Sequence, residues 1–319
     1  MKISVLGCGR WGAFIAWYLN KIGHDVLLWG RSSSKNFIRL KTERQNDFLS
    51  LNEQIILSDC LKDAVARANL LIISISSQSL RSFMEKLSSF DLSQKPIVLC
   101  MKGIEESSGK RLTEVVEEFV TKKTPTAVWV GPGHVEDFTK GIPNCMVIDS
   151  DDDITKERLV HEFSSNLIRF YFGADLIGTE VGAAAKNVIG IAAGMLDGIG
   201  YASLKGALMS RGTREIARLI QAMGGNEISA YGLAHLGDYE ATLFSKHSHN
   251  RKFGELWIKK EHFSQLAEGV RTSHALVKLG EQYHVDLPIC KAVNAVVNQQ
   301  ANPREMLSDL FVRSIKNEF

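Results

Sequence analysis

The sequence predicts an α/β N-terminal domain built on a doubly wound sheet, followed by an all-α C-terminal domain. Three observations predict it. The chain has 319 residues, more than one ordinary core accommodates. Its first half alternates short apolar runs with helical stretches. After about Gly173 the apolar period is that of helices, and no further strand pattern follows. The expected domains are residues 1–175 and 176–319.

The predicted strands are 3–6, 26–29, 55–57, 70–75, 97–100, 127–130, 145–148 and 168–172. Most are continuously apolar, as strands covered by helices on both faces are. Short amphipathic helices are expected at 60–66 and 79–87. Strand–helix–strand order implies right-handed crossovers. In the second half, 178–200 reads as a long helix rich in Ala and Gly. Residues 204–223 repeat Leu208, Ile216, Leu219, Ile220 and Met223 at helical spacing and stop at Gly224-Gly225, a C-cap signal. Further helices are expected at 268–284, 288–298 and 303–311. No Pro- or Ser-rich linker separates the domains, so the long helix itself is expected to join them, with a cleft at the junction.

Composition narrows the function classes. The chain is 45% hydrophobic and 23% charged, as soluble globular enzymes are. A net charge of +2 gives no bulk electrostatic case for nucleic acid or a membrane surface. The five cysteines are odd in number, widely spaced and without a CxxC pair. They read as reduced thiols of a cytoplasmic protein, not as a disulfide framework or a zinc site. Met1-Lys2 and the apolar residues after it can pass for a secretory signal, but Gly7, Gly9, Arg10 and Gly12 interrupt the run and no small-residue cleavage site follows. No run is expected to be long and apolar enough to span a bilayer.

Gly7-Cys8-Gly9-Arg10-Trp11-Gly12 is a G-x-G-x-x-G sequence. It follows the first strand and opens a helix with Phe14, Trp17 and Tyr18 on one side, and a second strand comes next. In that context it is a dinucleotide-binding fingerprint of a Rossmann-like domain. The glycines admit a pyrophosphate to the helix N-terminus, where free N–H groups and the helix dipole meet it. After the second strand stands Gly30-Arg31-Ser32-Ser33-Ser34-Lys35, with no carboxylate to hold the ribose hydroxyls of NAD. Arg31 can clamp a 2′-phosphate, or face solvent as an ordinary loop residue. NADP(H) is therefore expected ahead of NAD(H), which stays open.

The stretch 180–190 carries the chemistry. Lys186 lies in a helix among small and apolar residues, where a lysine either snorkels or works. Gly182, Lys186 and Gly190 share a face at i, i+4 spacing, and the glycines leave room beside the lysine for a ligand or another backbone. Asn187 points to an adjacent face. Loops after strands add Lys102-Gly103 and Gly131-Pro132-Gly133-His134, at the strand ends where doubly wound sheets bind ligands. His235-Leu236-Gly237-Asp238 and Ser248-His249-Asn250-Arg251 are polar islands that also suit plain loops.

Together these residues resemble the bacterial-type NAD(P)-dependent glycerol-3-phosphate dehydrogenases over nearly the whole chain. The resemblance is strongest in 177–254: the lysine-asparagine helix, Asp197-Gly198, Gly224-Gly225, Leu236-Gly237-Asp238 and 248–254, with Glu268-Gly269-Val270 beyond. It implies interconversion of dihydroxyacetone phosphate and sn-glycerol 3-phosphate, feeding glycerophospholipid synthesis. It makes Lys186 the general acid/base, with Lys102 and Asp238 lining the reaction site. Gly131, Gly133, Lys186, Asn187, Ser248, His249 and Asn250 fall at substrate positions. Gly7, Gly9, Arg10, Trp11, Gly12, Arg31, Lys102, Val135, His249, Leu266 and Glu268 fall at cofactor positions. No metal is implied. A small phosphorylated substrate and a homodimer are expected.

The chain also departs from that pattern. His249 stands where Arg is usual, Gly133 where Ser is usual, Ser76 where Pro is usual, and His235 where glycine is usual. Arg10 replaces a small residue of the glycine loop, and no Tyr-Leu-Pro-Gly segment is recognisable near 43–55. In the implied mechanism Lys186 exchanges a proton with the substrate oxygen. Lys102 and Asn187 hydrogen-bond the developing oxyanion, and Asp238 orients the lysine. His249, Asn250 and loop backbone groups hold the phosphate, with Arg251 as an alternative to His249. A related NADPH-dependent reductase of another keto or hydroxy acid is the rival. A metal-assisted enzyme using His235, His247, His249 and Asp238 is disfavoured, because their spacing fits no standard zinc pattern.

Overall fold

The structure, a computed structural model, describes residues 1–121 and 123–314. Contacts divide the chain into two compact units, Met1–Lys102 with Lys110–Glu180, and Gly103–Gly109 with Val181–Phe319.

Among the described residues the first unit holds one eight-stranded sheet, in the order β3-β2-β1-β4-β5-β6-β7-β8. The strands are β1 (Lys2–Leu6), β2 (Asp25–Trp29), β3 (Ile56–Ser58), β4 (Leu70–Ile73), β5 (Ile97–Leu99), β6 (Thr126–Val130), β7 (Asn144–Ser150) and β8 (Ile168–Phe172). Each corresponds to a predicted strand. Neighbours are parallel except β6 and β7, which pair antiparallel through Ala127↔Ser150 to Val130↔Val147. Continuous apolar runs reflect two-sided burial: Ile3, Val5 and Leu6 are all fully buried. Helices α1 (Arg10–Lys21), α2 (Lys35–Glu43), α3 (Leu61–Arg67), α4 (Leu80–Leu87), α5 (Leu112–Glu117), α6 (Val135–Thr139) and α7 (Asp153–Phe163) connect the strands. The strand order reverses between β1 and β4, which makes the carboxyl ends of these strands the topological switch point.

An aromatic cluster anchors this sheet. Trp129 on β6 meets the ring of Phe170 edge-on at 4.9 Å and that of Tyr18 of α1 at 5.9 Å. Tyr18 is fully buried, and its hydroxyl is satisfied by Ser165 at 2.8 Å and by the Phe163 carbonyl. Each such ring, fully buried, stabilises by about 1.5–3 kcal/mol.

The long helix α8 (Leu176–Ile199) runs from the first unit into the second. Against expectation, it is long and apolar enough to cross a membrane by length and composition. Yet 89% of its apolar window is buried in the protein, as in the core helix of a globular fold. The second unit continues with α9 (Lys205–Ala222), α10 (His249–Lys259), α11 (Glu268–Gln282), α12 (Pro288–Gln299) and α13 (Pro303–Phe311). Helix α10 lies on α8 backbone to backbone: a Cβ at Gly254 would stand 2.2 Å from the Ile191 carbonyl oxygen. Residues 248–251, which by sequence also suit a plain loop, begin this helix: Ser248 is its N-cap and accepts from the Arg251 amide at 3.3 Å. All five cysteines carry free thiols.

Candidate functional site

In the first unit the three fingerprint glycines have separate roles. Gly7 has φ +122°, and a Cβ there would meet the Ser74 carbonyl oxygen at 2.1 Å. A Cβ at Gly12 would strike the Gly7 carbonyl oxygen at 1.9 Å. These two close the turn and seat α1 on it. A Cβ at Gly9 would meet nothing within 4 Å, and no side chain caps α1 there. The loop is therefore open where a pyrophosphate approaches and closed elsewhere, which fits a dinucleotide.

The residues around the loop are committed in different ways. Arg10 pairs with Glu136 of α6, and its guanidinium stacks 4.7 Å from the Phe48 ring centroid. Trp11 leans on Phe14 at 5.0 Å and Phe138 at 6.4 Å. Arg31 is exposed just before the N-terminus of α2, where the Ser34 hydroxyl accepts from the Phe37 amide. Lys102, after β5, donates to the Gly131 carbonyl at 2.7 Å and so ties together the loops that follow β5 and β6. Val135, which starts α6, is buried. Gly133 has φ +143°, and a Cβ there would lie 2.3 Å from the Phe138 ring. The Phe138 ring thus occupies the space that a side chain at position 133 would need.

In the second unit Lys186 is buried on α8 and its Nζ lies 2.9 Å from Oδ2 of Asp238, itself 1% exposed. Nζ also donates to the Thr242 hydroxyl at 2.8 Å. Asp238 sits on a short 3-10 turn, Leu236–Asp238, and Thr242 on the π-helical turn Glu240–Phe244 that follows. Thr242 escapes the sequence reading; its i, i+4 spacing from Asp238 is the only signal pointing to it. The glycines beside Lys186 face protein rather than leaving a vacant face. A Cβ at Gly182 would stand 3.0 Å from that of His235, and one at Gly190 would stand 2.7 Å from the Thr242 methyl group.

Asn187, next on α8, accepts through Oδ1 from Asn250 at 3.0 Å. Asn250 in turn accepts from the Gly269 amide at 3.0 Å, so one side chain links α8, α10 and α11. His249 is the first residue of α10, half-buried, with its ring 6.3 Å from Phe263. Leu266 is 58% exposed, and Glu268 opens α11.

Arg251 points elsewhere. It binds Asp197 at 2.7 Å, Glu255 at 3.2 Å and the Ser245 carbonyl at 3.1 Å. Asp197 also binds buried Lys205 at 2.7 Å. These bonds make Arg251 a strut between α8 and α10. Both ring nitrogens of His235 are engaged within the protein, by the Gly182 carbonyl and the Tyr239 hydroxyl. Among the described residues no three His, Cys, Asp or Glu side chains are grouped to hold a metal ion.

The chain matches two family profiles. That described as NAD-dependent glycerol-3-phosphate dehydrogenase N-terminus covers residues 2–155, and its C-terminus counterpart covers 175–308. A glycerol-3-phosphate dehydrogenase (NAD(P)+) of Fusobacterium nucleatum is 36% identical, over 100% of this chain and 98% of that protein. One from Pelodictyon phaeoclathratiforme is 34% identical, over 100% and 99%. The crystal structure of glycerol-3-phosphate dehydrogenase from Coxiella burnetii superposes with a TM-score of 0.91 at 24% identity, over 98% of this chain and 99% of that one.

Proposed function

The chain belongs to the NAD-dependent glycerol-3-phosphate dehydrogenase family, and from that premise we propose which of its residues carry the reaction. It is an oxidoreductase that interconverts dihydroxyacetone phosphate and sn-glycerol 3-phosphate with NAD(P)H, in phospholipid metabolism. The observation that carries the residue assignment is the ion pair of Lys186 and Asp238, both buried, with the lysine among small and apolar residues of α8. A buried pair costs desolvation and is weak evidence for stability, so a chemical task is its better explanation.

When bound, the nicotinamide supplies a hydride to the carbonyl carbon, or takes one up in reverse. The carbonyl π pair moves to oxygen, and Lys186 as ammonium gives that oxygen a proton; an N–H bond breaks and an O–H bond forms. In the reverse direction Lys186 as amine takes the hydroxyl proton. Asp238 and Thr242 fix the direction of the amine. Asn187, which accepts from Asn250 through its oxygen, is assigned a hydrogen bond to the developing charge. Lys102, which donates to the Gly131 carbonyl, is assigned the same task.

The substrate phosphate is assigned to the N-terminus of α10, with His249, Asn250 and Ser248, where the helix dipole favours an anion. The cofactor pyrophosphate is assigned to Gly7, Gly9 and Gly12 with Arg10 and Trp11 alongside, and Val135, Leu266 and Glu268 are further cofactor contacts. Arg31 gives NADP(H) the preference. Residues 1–175 are the cofactor domain in this reading and 176–319 the substrate domain. The free thiols fit a cytoplasmic location, and exposed Phe311 and Val312 fit a homodimer. The test is a steady-state assay of dihydroxyacetone phosphate with NADPH and with NADH, beside a 2-keto acid. Turnover of the triose phosphate, faster with NADPH, is expected; turnover of the keto acid alone overturns the substrate.

A further inference from the structure

His235 is the departure that the reaction leaves unexplained. It is fully buried, yet it carries a polar ring. Its Nδ1 lies 2.8 Å from the Gly182 carbonyl oxygen, and its Nε2 lies 2.7 Å from the Tyr239 hydroxyl. A carbonyl only accepts, so Nδ1 carries the hydrogen, and Nε2 accepts from the tyrosine. Burial pushes the ring down to about 4, with the Lys186 charge acting the same way, so it stays neutral in this tautomer. The bond to the Gly182 carbonyl and, less, Asp238 pull the other way, but burial dominates.

The positions of these partners form a closed ring. Gly182 and Lys186 are one helical turn apart on α8. His235 and Asp238 are one 3-10 turn apart, and the Asp238 amide donates to the His235 carbonyl at 3.0 Å. The first residue of each pair bonds to the first of the other at 2.8 Å, and the second to the second at 2.9 Å. The missing Cβ at Gly182 is what lets the His235 side chain pack this close, its own Cβ 3.0 Å from where one would stand.

We propose that His235 is a positioning residue: its Nδ1–H bond to the Gly182 carbonyl sets the register in which Asp238 meets Lys186. This rests on Lys186 as the acid/base. A slip of about 1 Å in such a contact costs up to roughly 100-fold in rate.

The test compares His235→Leu, which removes the donor, with His235→Asn, whose amide nitrogen stands near the Nδ1 position. Turnover is referred to folded protein counted by NADPH binding. The Leu variant should lose about 10- to 100-fold in kcat with little change in KM for dihydroxyacetone phosphate, and Asn should recover most of it. Should the Leu variant not fold, His235→Gln replaces it, since its amide reaches only the Nε2 end. In the Asp238→Asn background the Leu or Gln change should cost little more, because its route of action is already gone. Wild-type kcat in the Leu or Gln variant, equal losses with Asn, or full additivity with Asp238→Asn overturns the proposal. Loss of the Lys186 assignment shows separately, as undiminished turnover in Lys186→Ala.

Discussion

The side-chain amide of Asn250 donates to Oδ1 of Asn187 at 3.0 Å while its own oxygen accepts the Gly269 amide, so one residue of α10 fastens α8 to the start of α11. Removing it deletes both hydrogen bonds, each worth about 0.5–1.5 kcal/mol. Asn250→Ala should raise KM for dihydroxyacetone phosphate and lower the melting temperature by about 2–4 °C or more. Steady-state kinetics and thermal melts check both. An unchanged KM removes Asn250 from the substrate site.

Arg31 tests cofactor choice. It stands exposed after β2, in a segment with no carboxylate. Arg31→Asp exchanges a cation for an anion, so it should weaken NADPH far more than NADH. Equal losses in fluorescence titrations with the two cofactors mean that Arg31 does not read the 2′-phosphate.

His249 opens α10, at a position where the resemblance implies an arginine. Histidine loses its charge through the neutral range, with an ordinary pKa of about 6.5, whereas arginine keeps it. KM for dihydroxyacetone phosphate should therefore rise on the alkaline side, and His249→Arg should flatten that rise. Superimposable KM–pH profiles for wild type, His249→Ala and His249→Arg exclude a phosphate role.

Glu215 gives the helical unit a pH-dependent stability. Its buried carboxylate accepts from the Ile289 and Cys290 amides at 2.9 Å each, at the start of α12, and burial pushes it up to about 7. An acid raised in the folded state stabilises fully below its unfolded pKa, near 4.5, and loses that contribution as pH rises through about 7. Glu215→Gln, which stays neutral, should gain on wild type by about 1–3 kcal/mol between pH 5 and 8. Parallel urea-unfolding curves for the two across that range contradict this.

The strands and most helices are legible because burial writes them plainly: 3–6 and 70–73 are apolar at every position but Ser4, whose hydroxyl bonds to the Ala64 carbonyl at 2.6 Å. The antiparallel turn-back of β7 is not legible, since a fully buried strand has the same apolar pattern in either direction. Helix α10 is hidden because Ser248, Asn250 and Arg251 spend their polar groups inside the unit, on a cap, on Asn187 and on Asp197. Lys186 stands out as a charge in an apolar helix. Its companion Thr242 does not, because a threonine in an apolar stretch looks like any other before the π turn brings it to the lysine.

In the proposed reaction Lys186, held by Asp238 and Thr242, moves the proton. The most direct measurement is the turnover of Lys186→Ala with dihydroxyacetone phosphate, in protein shown by fluorescence titration to bind NADPH as wild type does. A fall in kcat of roughly 10²–10⁴-fold is expected, the range of general acid–base catalysis. Turnover near the wild-type value, with the cofactor bound, contradicts it.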